Sequence, residues 1–126
     1  MEGNAGCIDL RALERLRTLG GGELLTNMVH LFISHAEPVL RDAEIALGRG
    51  DLEGVRRAAH SLKSSAANLG AYQVQNLAGT IEDLAEHGRI EEVQPLMADL
   101  QKAYLMAKAS LLAPPGKEDL FENPDC

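Results

Sequence analysis

His60 is the residue of this 126-residue chain whose neighbours most clearly suggest chemistry. Arg56 and Arg57 precede it by four and three residues and Lys63 follows it by three, so on a helix all three cations lie one turn away. A neutral imidazole nitrogen is a nucleophile, and long helical side chains lean toward the N-terminus, which brings the Lys63 ammonium over the ring. This spacing suits an imidazole that carries a phosphoryl group, with the lysine neutralising its oxygens.

The residues that follow His60 on the same helix face are small. Ser64 and Ala67 lie one and two turns further on and leave a flat surface along which another protein can approach. The opposite side of the same segment is apolar and consists of Leu52, Val55, Ala59, Leu62, Ala66 and Leu69. His60 is therefore predicted to be exposed on a helix that is anchored from beneath. Ordinary solvated helix faces also carry a histidine beside basic residues, so the spacing alone leaves both interpretations open.

The rest of the chain supplies the helices that must position this face. Apolar residues recur at intervals of three and four between Ile8 and Leu112, and no stretch alternates with a period of two, which predicts an all-α fold. The predicted helices cover roughly residues 9–18, 25–48, 52–69, 72–86 and 89–112. Because the connections are short, we expect an antiparallel up-and-down four-helix bundle with a short additional N-terminal helix at one end.

Several residues mark where these helices begin, end or bend. Asp9 and Asp51 are predicted N-caps, and Gly20–Gly22, Gly70 and Gly88 are predicted helix ends. Pro38 falls inside the second helix, where it removes one backbone hydrogen bond, so we expect a kink or a short break there.

The length of the chain suits a single domain. We divide it into an N-terminal extension over residues 1–8, the bundle over residues 9–112 and a flexible C-terminal tail over residues 113–126. The tail contains three prolines among scattered charges, a composition that cannot continue a helix or bury much surface.

Charge and cysteine content exclude several classes of function. The chain has 12 basic and 19 acidic residues, a net charge of -7, which argues against nucleic acid and anionic membranes as partners. Cys7 and Cys126 stand far apart in the sequence, so neither a disulfide framework nor a thiolate metal site is expected. No membrane span or signal peptide is visible. We expect a monomeric cytoplasmic protein.

Other candidate sites are weaker than His60. His30, His35 and His87 lack the spacing of metal ligands, and no metal site is predicted. Serines near His60 lack the base and orienting carboxylate that a hydrolase needs. Gly20–Gly22 are not followed by Lys-Ser or Lys-Thr, so no nucleotide-binding loop is expected. The chain should therefore have no kinase activity of its own.

The sequence around His60 resembles that of a known family. The run AHSLKSSAANLG at residues 59–70 is similar to the pattern of histidine-containing phosphotransfer (HPt) domains, His-x-Leu-Lys-Gly followed by small residues and a Leu-Gly pair. Residues 19–25, residues 46–51 and Phe32 ahead of Ala36-Glu37-Pro38 also resemble this family, in the same order. The resemblance covers about residues 9–112.

The resemblance implies a phosphorelay function for His60. The imidazole would accept a phosphoryl group from the aspartyl phosphate of one receiver domain, in a hybrid sensor histidine kinase, and pass it to the aspartate of a response regulator. Lys63 matches the lysine of the family and would assist by charge. Ser64 replaces the usual glycine, which bears on partner preference. No cofactor is expected in this chain, whereas Mg²⁺ is expected on the partner receiver.

Two further interpretations stay open beside phosphotransfer. The first is an adaptor bundle that binds a receiver or a kinase without transferring phosphate. The second is a bundle segment through which a sensor kinase dimerises, which the small residues beside His60 disfavour, because a dimer core uses larger apolar side chains. Under the leading interpretation, the residues that border the partner are Arg56, Arg57, Ser64 and Ala67.

Overall fold

The computed structural model of the chain describes residues 4–5 and 8–113. Its four helices are α1 (Leu10–Gly48), α2 (Leu52–Asn68), α3 (Tyr72–Glu86) and α4 (Ile90–Leu111). Two strands of two residues each, β1 (Asn4–Ala5) and β2 (Ile8–Asp9), pair antiparallel ahead of α1. Apart from Ala113, the predicted C-terminal tail over residues 113–126 lies outside the described residues.

The helices are joined by three connections of three residues each, and every connection has a glycine at its centre. Gly50, Gly70 and Gly88 adopt φ values of 72°, 69° and 74°, which residues other than glycine rarely adopt. After α1, the amide of Asp51 donates to the carbonyl of Ala46 at 2.8 Å, and the amide of Gly50 donates to Leu47 at 3.0 Å. The other two connections repeat this pair of bonds. These tight turns confirm the predicted antiparallel up-and-down bundle.

Both predicted N-caps are confirmed. Asp9 accepts a hydrogen bond from the amide of Arg11, and Asp51 accepts one from the amide of Gly54 at 3.0 Å. A Cβ atom at Gly54 would lie 2.6 Å from the Asp51 carboxylate and 3.0 Å from the Cβ of Ala46. A glycine at this position therefore permits both the cap and the close approach of α1 to α2.

The helix end predicted at Gly20–Gly22 is confirmed, although α1 resumes directly after it. Gly20 and Gly21 leave the helical conformation, with Gly21 at φ 76°, and this separates the short N-terminal segment of α1 from its long remainder. At Pro38 the helix continues with helical dihedrals, so the short break that was one of the two expectations there is absent. Ala36 and Leu40 are buried on either side of Pro38, and this packing maintains the helix where one backbone bond is missing.

The core lies between the four helices and also includes one residue of β2. Ile8, which the sequence assigned to an N-terminal extension, is fully buried in this core. The amide of Asp9 donates to the carbonyl of Gly70 at 2.7 Å, so the start of the chain is anchored to the connection between α2 and α3.

The bundle is closed between α1 and α4 by an aromatic pair and a polar cluster. The rings of Phe32 and Tyr104 lie 5.8 Å apart. The Tyr104 hydroxyl donates to Glu37 Oε2 at 2.9 Å, and Lys108 Nζ donates to the same oxygen at 2.6 Å. These contacts set the position of α4 along α1. Within the described residues, no helix combines the length and hydropathy needed to cross a bilayer.

Candidate functional site: a histidine on the second helix

The apolar side of α2 is buried and its opposite side is open, as the sequence predicted. Val55, Ala59, Leu62 and Ala66 are buried against the neighbouring helices. The side chain of His60 is 59% exposed. The prediction that the imidazole points away from the core is therefore confirmed.

A carboxylate from α3 connects His60 and Lys63. Nδ1 of His60 lies 2.8 Å from Glu82 Oε2, and Nζ of Lys63 lies 2.8 Å from Glu82 Oε1. The two α2 residues thus contact the two oxygens of one carboxylate, whose side chain is only 15% exposed. Lys63 is 38% exposed, so its stem lies against the protein while its ammonium group reaches the site.

This arrangement assigns the two imidazole nitrogens. The hydrogen bond from Lys63, followed by the one from His60, holds the pKa of Glu82 below its usual range, against the opposing effect of burial. Glu82 is therefore ionised at neutral pH and can only accept hydrogen bonds. Nδ1 of His60 must then carry the proton, and Nε2 of the neutral ring keeps the lone pair. The ring nitrogen with a free lone pair is then Nε2.

Gly79 on α3 provides the space through which Lys63 reaches Glu82. A Cβ atom at Gly79 would lie 3.3 Å from Cδ of Lys63, a tight contact for the lysine stem. Neither Gly79 nor Glu82 was among the residues predicted from the sequence. A signal was available, because a glycine inside a helix commonly has a packing or functional reason, and Glu82 follows one turn later.

The two predicted arginines do not contact the imidazole. Nη2 of Arg56 lies 2.7 Å from Glu53 Oε2, and Nη1 of Arg57 lies 3.7 Å from the same oxygen. The hydrogen bond with Glu53 raises the pKa of Arg56, with smaller contributions from the charges of Glu82 and Glu86. The arginines therefore form a cationic border N-terminal to His60 on α2, in an otherwise acidic chain.

Comparison with known proteins identifies the family of this chain. The family model of the Hpt domain matches residues 27–110, about two thirds of the chain. The chain belongs to the Hpt domain family. It is accordingly a histidine-phosphotransfer module of a phosphorelay.

One sequence relative and one solved structure are similar to this Hpt domain. It is 34% identical over 97 residues to the sensor protein TorS of Escherichia coli K12. The matched segment is 77% of this chain but only 10% of TorS. The chain thus spans about a tenth of that relative. Its fold matches the crystal structure of histidine-containing phosphotransfer protein B (HptB) from Pseudomonas aeruginosa PAO1 with a TM-score of 0.78. That alignment covers 82% of this chain and 90% of HptB at 24% identity.

The surface beside His60 extends from α2 onto α1 of the Hpt domain. Ser64 and Ala67 are exposed, as the sequence predicted. Nε2 of His35 on α1 lies 2.9 Å from Oγ of Ser61, the residue after His60. One turn before His35, Leu31 is 62% exposed. Since α1 and α2 are antiparallel and His35 lies opposite Ser61, the register places Leu31 about level with Ser65, one turn further along α2.

The part of the Hpt domain that the structure describes contains no group of three or more His, Cys, Asp or Glu side chains placed to hold a metal ion. His60 has one carboxylate neighbour, and Lys63 is bound to the same carboxylate.

Proposed function

We propose that His60 is the phosphorylated residue and that it carries a phosphoryl group from the aspartyl phosphate of one receiver domain to the aspartate of another. The observation that carries this proposal is the hydrogen bond between His60 Nδ1 and Glu82, 2.8 Å long, on an exposed imidazole. It selects the tautomer in which Nε2 has its lone pair available for attack on phosphorus.

Each half of the transfer is a single exchange at phosphorus. The Nε2 lone pair forms the N–P bond while the P–O bond to the donor aspartate breaks, and its electron pair remains on the departing carboxylate. In the second half, a carboxylate oxygen of the acceptor receiver attacks phosphorus and the N–P electron pair returns to Nε2. Lys63, one turn from His60, neutralises charge on the phosphoryl oxygens and so assists both steps.

The chemistry that the chain lacks is assigned to its partners. We assign the donor to the receiver of a hybrid sensor histidine kinase and the acceptor to a response regulator, each with its own bound Mg²⁺. The chain would then need neither ATP nor a cofactor of its own and would act as a monomeric intermediate in the cytoplasm. The similarity to part of TorS supports the first of these partners.

The receivers would dock over the exposed face of α2. Ser64 and Ala67 keep this face flat, and Arg56 and Arg57 border it with positive charge. Ser64 has a hydroxyl where the family usually has glycine, which narrows the approach of the receiver. We therefore assign partner preference to this position.

The test uses receiver domains that a small phosphoryl donor has loaded with labelled phosphate. Incubation with the full chain should give acid-labile, base-stable label on the chain, and His60→Gln should give none. His60→Gln loses at most the hydrogen bond to Glu82, so the free energy of unfolding should fall by no more than about 1.5 kcal/mol and the bundle should stay folded. The matched control is His87→Gln, an exposed histidine at the end of α3. Stable binding of a receiver without any label would favour the adaptor function instead.

A further inference from the structure

In the resting site, Glu82 contacts one cation, Lys63, and one neutral proton donor, His60. Phosphorylation of His60 changes the charge around both of these neighbours. The Lys63 ammonium and the Nδ1–H of a neutral imidazole share its two oxygens. Attack by Nε2 leaves the proton on Nδ1, so the phosphorylated ring is an imidazolium. The phosphoryl group itself adds about two negative charges beside the ring.

Lys63 is placed to respond to this new charge. Its ammonium already lies beside the imidazole, because both contact the same carboxylate. Its stem is flexible and 38% exposed. Three phosphoryl oxygens with about two negative charges attract an ammonium more strongly than one carboxylate does. Glu82 would lose its lysine to the phosphoryl group, but it would keep a cation, since the imidazolium now lies 2.8 Å from its Oε2.

We propose that Glu82 exchanges counter-ions during the phosphorelay: it releases Lys63 to the phosphoryl group and retains the imidazolium of His60 in its place. Glu82 is thus a positioning residue that keeps the proton on Nδ1 through the whole cycle. When the acceptor aspartate attacks, the leaving group is a neutral imidazole, which leaves more readily than an imidazolate. No further acid is needed at the moment of transfer. This inference rests on the proposed function of His60.

Other charged groups around the ring do not duplicate this role. On α3, Glu86 lies one turn beyond Glu82, and on α1, His35 is bonded to Ser61. On α2 itself, Arg56 and Arg57 contact Glu53. Among the described contacts of His60, the carboxylate at Nδ1 is that of Glu82. Substitution of this one residue should therefore isolate the effect.

The first experiment follows the Nδ1 proton. The full chain, labelled with ¹⁵N-histidine, is phosphorylated with phosphoramidate and titrated by NMR beside Glu82→Gln. Glutamine has the same shape and can still accept the Nδ1–H bond, but it lacks the charge. Phosphohistidine in the variant should lose the Nδ1 proton about one pH unit lower, a tenfold change in the protonated fraction at a given pH. Hydrolysis of its phosphohistidine near pH 8 should slow by about the same factor, because the protonated ring is the better leaving group.

Glu86→Gln is the matched control, since it removes the same charge from the same helix one turn away. In Glu86→Gln, phosphohistidine should lose its Nδ1 proton at the same pH midpoint as in the unsubstituted protein. Glu82→Asp is a second test if Glu82→Gln melts early, because it keeps the charge but withdraws it from the ring, and it should also lower the titration midpoint. Equal midpoints in the unsubstituted protein and in both Glu82 variants would overturn the proton-holding role.

The second experiment follows the lysine. In protein labelled with ¹⁵N-lysine, the Lys63 ammonium signal should shift on phosphorylation, while the His60 Nδ1–H signal should remain visible. An unchanged Lys63 signal would overturn the exchange. Phosphorylation itself is read separately, as acid-labile label that His60→Gln lacks. Absence of that label from the unsubstituted protein would refute the proposed function, whereas its presence with unchanged Lys63 signals would refute only the exchange.

Discussion

Gly79 on α3 lies directly beneath the stem of Lys63, and a Cβ atom there would come within 3.3 Å of the lysine Cδ. A glycine inside a helix costs stability relative to alanine, yet this one lies where the lysine crosses from α2 to Glu82. The site thus gives up some helix stability in order to bring an ammonium group and an imidazole onto one carboxylate.

Gly79→Ala tests whether this glycine lowers helix stability while leaving room for the Lys63 stem. The substitution should raise the free energy of unfolding by about 0.5–1 kcal/mol, because alanine restricts the unfolded chain and favours the helix. It should also displace the Lys63 stem by a few tenths of an ångström and slow phosphoryl transfer. Urea denaturation and single-turnover transfer measure the two effects. A variant that is more stable but fully active, or one that gains no stability, would contradict this assignment.

Lys63→Ala should slow transfer without weakening the complex with the receiver. A hydrogen bond to a charged group contributes about 1.5–3 kcal/mol, so a loss of about 10- to 100-fold in the transfer rate constant is the expected upper range. The measurement is the rate constant at saturating receiver, beside a binding titration. If affinity falls and the saturated rate does not, Lys63 is a docking residue and its assisting role is wrong.

The parts of this site that were predictable from sequence are those that local chemistry determines. The caps at Asp9 and Asp51 and the glycine turns depend on a few adjacent residues. The exposure of His60 follows from the apolar pattern of its own helix. Glu82 was not predicted because it lies 22 residues away, and its contact with His60 depends on how α2 and α3 pack. The short break considered at Pro38 is absent for a similar reason, since residues on both sides of it are packed into the core and the helix continues.

Acid should destabilise the bundle partly through Glu82. Its pKa is lowered in the folded protein, first by the hydrogen bond from Lys63. The ionised carboxylate therefore contributes stability that is fully present above the ordinary pKa of glutamate, about 4.3, and is lost as the pH falls through the lower folded value. Glu82→Gln should lose less stability between pH 7 and pH 3.5 than the unsubstituted protein. Urea denaturation at both pH values measures this, and equal losses would show that Glu82 does not contribute.

Tyr104→Phe should weaken the fold without affecting transfer. The hydroxyl of Tyr104 donates to Glu37, and removal of this partly buried hydrogen bond should cost about 0.5–1.5 kcal/mol. Glu37 keeps Lys108 as a partner, so its charge stays neutralised in the variant. Because the cluster joins α1 to α4, whereas His60 and Glu82 belong to α2 and α3, the rate of transfer should stay the same. A thermal melt and a transfer assay on one sample distinguish the two effects.

Bulk on the exposed face of α2 should block the receiver. Ala67→Arg and Ser64→Tyr both change exposed positions, so the bundle should melt normally while transfer is abolished. Lys102→Ala on α4, an exposed residue away from His60, should have no effect. Full transfer activity in both bulky variants would show that the receiver docks elsewhere.

Substitution of two leucines of nearly equal exposure tests whether the docking surface continues onto α1. Leu31 is 62% exposed and lies one turn from His35, which contacts Ser61 beside the site. Leu105 is 61% exposed on α4, in a groove between α4 and α1 that is lined by Glu37 and Arg41. Arginine at either position should leave the core intact. Because an apolar side chain in a protein interface is buried on binding, Leu31→Arg should lower receiver affinity by about tenfold or more, the equivalent of 1.4 kcal/mol. The Leu105→Arg variant should bind the receiver with the same affinity as the unsubstituted protein. A binding titration that gives equal affinities for the two variants would show that the docking surface does not extend to Leu31.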